Sequence, residues 1–138
     1  MHATEPGRAD AAAPRPHILV VDDATVVRLY YRQILEAEGY RVDEAINGVE
    51  GLEKALSMPF AACIVDINMP IMDGYSFLHA LRRDSNTAAL PALMTTTEAG
   101  PEDHRQALAA GANGYLVKPV PREKLALYLA AMLGRSAA

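Results

Sequence analysis

The chain has 138 residues, 51% of them apolar, and a formal net charge of −4. That length suits one domain with a short tail at most, the apolar share suits an ordinary globular core, and the charge offers no broad basic field for nucleic acid. No apolar run approaches the length that spans a bilayer, no hydrophobic signal region opens the chain, and the one cysteine, Cys63, has no partner for an internal disulfide. A cytoplasmic protein with a buried structural thiol is expected, with neither membrane nor nucleic acid as a partner.

Residues 1–16 are rich in Ala and Pro and lack apolar periodicity, which predicts a disordered tail ahead of a domain over 17–138. Ile18-Leu19-Val20-Val21 reads as a buried strand ending in Asp22-Asp23. A helix over 24–38 follows, striped by Val27, Tyr31, Ile34 and Leu35 and stopped by Gly39. Residues 40–45 alternate and read as a strand nearer the sheet edge. Asn47-Gly48 turns the chain into a second helix, striped by Val49, Leu52 and Leu56 and ended by Pro59.

The apolar run from Phe60 to Val65 is the third strand, and a third helix covers 74–83 with Phe77, Leu78 and Leu81 inward. Residues 90–95 form a fourth strand with Pro91 near its start, and 96–100 form a loop. Pro101 opens a fourth helix to about Ala110, Tyr115-Leu116-Val117 is the fifth strand, and a last helix runs over 121–133. On that helix Leu125, Leu129 and Met132 are expected to face the sheet, leaving Leu127, Tyr128, Ala130 and Ala131 partly outward. Strands this apolar need cover on both faces, so the fold class is α/β, a doubly wound parallel sheet. The strand order 2-1-3-4-5 places strands one and three together at the switch point, where such sheets bind ligands.

In that order Asp22, Asp23 and Asp66 stand at the carboxyl ends of neighbouring central strands, with Thr96 and Lys118 at the ends of strands four and five. Taken singly, each has an ordinary explanation: a helix cap, a turn residue, a solvated lysine. Their convergence on one sheet edge does not. Three carboxylates in one cleft repel one another and are stabilised by a hard divalent cation; all-oxygen ligation suits Mg²⁺. A nearby lysine and threonine hydroxyl suit phosphate oxygens, so the set points to phosphoryl transfer onto a carboxylate nucleophile.

Four ordered motifs carry a resemblance: Val20-Val21-Asp22-Asp23, Asp66-Ile67-Asn68-Met69-Pro70-Ile71-Met72-Asp73-Gly74, Met94-Thr95-Thr96-Thr97-Glu98-Ala99, and Gly111-Ala112-Asn113-Gly114-Tyr115-Leu116-Val117-Lys118-Pro119. From His17 onward the sequence resembles the response regulator receiver domains of two-component systems, most of all the stand-alone chemotaxis type. The resemblance implies a flavodoxin-like (βα)5 fold with Asp66 as phosphoacceptor. It implies Mg²⁺ bound by Asp22, Asp23, Asp66 and the backbone carbonyl of Asn68, with Asp22 acting mostly through water. It makes Thr96 and Lys118 the groups that hold the phosphoryl oxygens, Thr96 and Tyr115 the switch pair, and the Lys118–Pro119 bond cis. The implied phosphodonor is a histidine kinase or a histidine phosphotransfer protein. The implied output is a conformational change at the helix 4, strand 5, helix 5 face, where an unknown target or a second copy would bind. One departure is Gly100-Pro101-Glu102-Asp103, where chemotaxis regulators carry lysines, so a contact made through those lysines is not expected.

Two other functions compete with this phosphorylation switch. An aspartate-nucleophile phosphatase also uses Mg²⁺ and a strand-end carboxylate, but it wants a second carboxylate where Asn68 stands. A phosphorylation-independent interaction module has no use for the intact acidic set. The chain is therefore expected to be no enzyme beyond its own phosphotransfer and self-dephosphorylation.

Overall fold

The computed structural model describes residues 15–135. All but the last two residues of the expected N-terminal tail lie outside that range. Within it five strands and five helices alternate: β1 (His17–Val21), α1 (Thr25–Ala37), β2 (Arg41–Ala45), α2 (Gly48–Ser57), β3 (Ala62–Asp66), α3 (Gly74–Arg83), β4 (Ala92–Thr96), α4 (Pro101–Ala109), β5 (Gly114–Val117) and α5 (Arg122–Met132). The strands form one parallel sheet in the order β2-β1-β3-β4-β5, as the sequence predicts.

The period-two alternation of the strands divides the core. Leu19, Val21, Cys63, Val65 and Met94 point to one face, where Ala55 of α2, Phe77, Leu78 and Leu81 of α3 and Ala107 of α4 cover them. Ile18, Val20, Ala62, Ile64 and Leu93 point to the other, beneath Tyr31, Ile34 and Leu35 of α1 and Leu125 and Leu129 of α5. The central strands are sealed on both faces, while edge strand β2 keeps most of its residues partly exposed. Cys63 is fully buried, and burial pushes its thiol up to about 12, so it stays protonated and inert.

Three details differ from the sequence reading. Of the α2 stripe only Leu52 packs against the core: Val49 and Leu56 are 41% and 46% exposed, and Gly48, Gly51 and Ala55 turn inward. Small residues are needed there because α2 lies close on the sheet; a Cβ on Gly51 would stand about 3.0 Å from Val21 and 3.1 Å from Phe77. On α5, Ala130, expected partly outward, is buried beside Leu125 and Leu129, while Leu127 is 53% exposed, as expected. β3 and β4 each run to the residue expected just beyond them, Asp66 and Thr96, because Asp66 pairs with Thr95 and Thr96 with Val117.

Turns carry the expected punctuation. Gly39 ends α1 at φ 92°, a conformation that suits a residue without Cβ. Asn47 and Asp73 cap α2 and α3, their side chains accepting from the amides of Glu50 and Ser76. Arg82 joins α3 to two loops through the carbonyls of Leu90 and Gly111, at 2.7 and 2.8 Å. Ile71 is the exception to good turn chemistry. It sits at φ 71°, where a β-branched side chain is strained, and is 81% exposed, so its side chain recovers little by burial. Ile71→Asn is therefore expected to stabilise the domain by about 1 kcal/mol, read as a higher urea midpoint at unchanged slope. An unchanged or lower midpoint would mean that the turn carries no such strain.

Candidate functional site

The site forms where β1 and β3 lie side by side while their chain connections diverge, the sheet's switch point. Asp22 follows β1, and its amide donates to the carbonyl of Ala45 at the end of β2 (3.1 Å). Asp66 is the last residue of β3, and the next amide, that of Ile67, donates to Thr95 of β4 (2.9 Å). The loop then turns back so that the amide of Gly74 donates to the Ile67 carbonyl (2.9 Å), starting α3 directly behind the strand end. A Cβ on Gly74 would stand 2.7 Å from both the Asp66 carbonyl oxygen and the Ile67 Cα. Glycine is what lets α3 approach the acidic strand end so closely.

The carboxylates of Asp22, Asp23 and Asp66 converge, one oxygen from each lying within 4.8 Å of the others. Asp22 and Asp66 are buried, and Asp23 faces solvent. The Asp22 Oδ1 accepts from the Ala24 amide at 2.8 Å, and its Oδ2 accepts from Lys118 Nζ at 2.9 Å. Lys118 Nζ also lies 3.3 Å from Asp66 Oδ2, while the Asn68 amide donates to Asp66 Oδ1 at 3.2 Å. Burial holds the Asp66 carboxyl above its ordinary range; the Lys118 charge and the Asn68 amide offset that only in part. For Lys118 burial acts downward, but the hydrogen bond and charge of Asp22, with Asp66, outweigh it and raise the ammonium above its ordinary value. One ammonium against three carboxylates leaves an excess of negative charge. The donor set is oxygen throughout, which fits a hard divalent cation.

Thr96, fully buried, ends β4 beside this cluster. Its hydroxyl oxygen accepts from the Glu98 amide (3.1 Å) and from Asn68 Nδ2 (3.4 Å). Of the three consecutive threonines, Thr96 is thus the one tied to the β3–α3 loop. Lys118 follows β5, its amide donating to the Thr96 carbonyl at 2.7 Å, and the Lys118–Pro119 bond is cis. Tyr115 stands apart from the carboxylates, on the face of β5 covered by α4. Its hydroxyl donates to the Glu98 carbonyl and its ring stacks on His104, with centroids 4.9 Å apart. Through Glu98 it nonetheless touches the loop that leaves Thr96.

Two residues near the cluster escape the sequence reading. Arg28 lies beneath the β1–α1 turn, 8% exposed, and donates to the Asp22 carbonyl. Tyr31, assigned only to the helical stripe, lies near enough to feel the charges of Lys118, Asp22 and Asp66, and burial pushes its phenol up to about 12. Nothing in the spacing separates Arg28 from a solvated helix arginine.

The response regulator receiver domain model matches residues 18–130. Among solved structures, the Vibrio cholerae chemotaxis protein CheY4 is 39% identical, with a TM-score of 0.83 over 87% of this chain and 100% of that one. The receiver domain of a Pseudomonas aeruginosa sensor histidine kinase, a structure with magnesium coordinated in its active-site cleft, is 30% identical, with a TM-score of 0.81 over 88% of this chain and 99% of that one. Among curated proteins, a Mycobacterium leprae transcriptional regulatory protein, PrrA, is 36% identical over 94% of this chain and 54% of its own length. The chain spans about half of that relative and of a Synechocystis transcriptional regulator, and 14% of a Myxococcus xanthus gliding motility regulator. With four motifs, the strand order and the acidic strand ends in agreement, the chain belongs to the response regulator receiver domain family.

Proposed function

We propose that this receiver domain accepts a phosphoryl group on Asp66 from a histidine kinase or histidine phosphotransfer protein and acts as a cytoplasmic switch. The observation that carries the proposal is the convergence of Asp22, Asp23 and Asp66 with Lys118 between two of them. Asp22, Asp23 and Asp66, with the Asn68 carbonyl, would hold Mg²⁺, which supplies the positive charge that lets a carboxylate meet an anionic phosphoryl group. An Asp66 carboxylate oxygen forms the new bond to phosphorus as the donor's phosphorus–nitrogen bond breaks, and the donor imidazole departs with the bonding electron pair. Lys118 leaves its ion pairs to meet a phosphoryl oxygen, and the Thr96 hydroxyl donates to another. Water later cleaves the acyl phosphate. Asn68 offers no carboxylate for repeated acid–base turnover, which favours a switch over a phosphatase.

The proposed output runs from Thr96 through Glu98 to Tyr115 and the face formed by α4, β5 and α5. Leu127 of α5 is exposed and suits contact with a target or a second copy.

Incubation with acetyl phosphate and Mg²⁺ tests the chemistry. An acid-stable, base-labile phosphoprotein is expected, and excess chelator is expected to prevent it. Asp23 is exposed and belongs to a repelling cluster, so Asp23→Ala is expected to fold normally yet require about tenfold more Mg²⁺ for half-maximal labelling. Wild-type Mg²⁺ dependence in that variant would remove Asp23 from the metal site.

A further inference from the structure

We propose that Arg28, braced by Glu44, is a positioning residue that sets the affinity of the acidic cluster for Mg²⁺ by fixing the Asp22–Asp23 turn, not by its charge. The proposal rests on the reading of that cluster as a Mg²⁺ site. Adjacent carboxylates on a turn spread apart under their own repulsion unless the backbone beneath them is held. Asp22 is held at four points. Its amide donates to Ala45, its carbonyl accepts from Arg28 Nη1 at 2.6 Å, and its two carboxylate oxygens accept from Ala24 and Lys118.

Arg28 is the only one of these supports that comes from a charged side chain acting on the backbone. Its guanidinium divides three ways: Nη1 to the Asp22 carbonyl, Nη2 to Thr25 Oγ1 at 3.3 Å, and Nε to Glu44 Oε1 at 2.9 Å. The planar fork of arginine serves all three; lysine, a single ammonium, cannot. Glu44 is fixed in turn, since its second carboxylate oxygen accepts from Arg32 Nε at 2.6 Å and Arg32 also pairs with Glu36. The brace thus runs from edge strand β2 to α1 and passes beneath the metal-facing turn.

Its charge pattern argues for position. Two guanidinium groups, Arg28 and Arg32, stand against two carboxylates, Glu44 and Glu36. The network carries no net charge, and Glu44, 2.9 Å from Arg28 Nε, offsets most of the Arg28 charge.

The test is Mg²⁺ titration calorimetry on the full chain, at about 0.1 M and 1 M salt, below the melting temperature of each variant. Arg28→Lys is expected to bind Mg²⁺ about tenfold more weakly than wild type at both salt concentrations. Glu44→Gln keeps an oxygen for Arg28 Nε, and is expected to lose about threefold or less. If Arg28→Lys does not fold, Glu44→Ala removes the brace from the β2 side and is expected to show a salt-independent loss. Wild-type affinity in Arg28→Lys, or in Glu44→Ala where that variant stands in, overturns the proposal. So does a loss in Glu44→Gln larger than in Arg28→Lys that vanishes in high salt, which would make charge the cause. Failure of the wild-type protein to bind Mg²⁺ removes the site reading and this inference together.

Discussion

Asp66→Asn is expected to cut labelling by acetyl phosphate in Mg²⁺ about 100-fold or more, to background, because an amide oxygen does not replace a carboxylate as nucleophile. The substitution keeps the shape of the side chain and an oxygen for the Asn68 amide, which now donates to Asp66 Oδ1. Loss of labelling therefore does not reduce to loss of fold, and the stability of the variant checks this. Burial raises the Asp66 carboxyl above its ordinary range in the metal-free protein. A group raised in this way favours the folded state fully below its unfolded value, and that contribution is lost as pH rises through the folded value. Neutral asparagine avoids the loss. Metal-free Asp66→Asn is expected to melt no lower than wild type at neutral pH, with the comparison shifting toward wild type in acid. Labelling at the wild-type level would place the acceptor elsewhere, with Asp22 and Asp23 next in line.

Gly74→Ala is expected to cost about 3 kcal/mol, roughly a 10 °C fall in melting temperature. The atoms that a Cβ would meet are the Asp66 carbonyl oxygen and the Ile67 Cα, each at 2.7 Å. Both are backbone, so no rotamer change relieves the contact. Either α3 retreats and weakens the bond from the Gly74 amide to Ile67, or the end of β3 moves and carries Asp66 with it. The same substitution is therefore expected to lower Mg²⁺ affinity along with stability, unlike a cavity mutation in the distant core. A melting temperature within about 2 °C of wild type would show that the loop yields easily and that the close approach is not required.

The fold is legible in the sequence because its strands are short apolar runs in which alternate residues serve opposite faces. Ile18 and Val20 meet α1 and α5, while Leu19 and Val21 meet the other three helices. The acidic set is legible for a related reason. A carboxylate such as Asp66 at the end of a fully buried strand needs a partner, and topology brings Asp22 and Asp23 to the same edge. What escapes is set by packing distance rather than by pattern. Val49 and Leu56 look like an inward stripe, yet Gly51 and Ala55 pack on the core and Gly48 lies against Met72 of the β3–α3 loop, too close for larger side chains. Arg28 and Arg82 carry no signal in the spacing; only the folded chain brings backbone carbonyls to their guanidinium groups. Thr96 reads as loop because its strand pairing depends on Val117, 21 residues away in sequence.

Direct mapping of the phosphoryl group addresses the proposed chemistry most closely. The wild-type protein, treated with acetyl phosphate and Mg²⁺, is reduced with borohydride, which converts an aspartyl phosphate to homoserine, and is then digested for peptide mass spectrometry. Homoserine at position 66, and its absence when Mg²⁺ is chelated, is the expected result. Homoserine at position 22 or 23, or phosphate recovered only on a hydroxyl or imidazole side chain, would contradict the assignment of Asp66 as the acceptor.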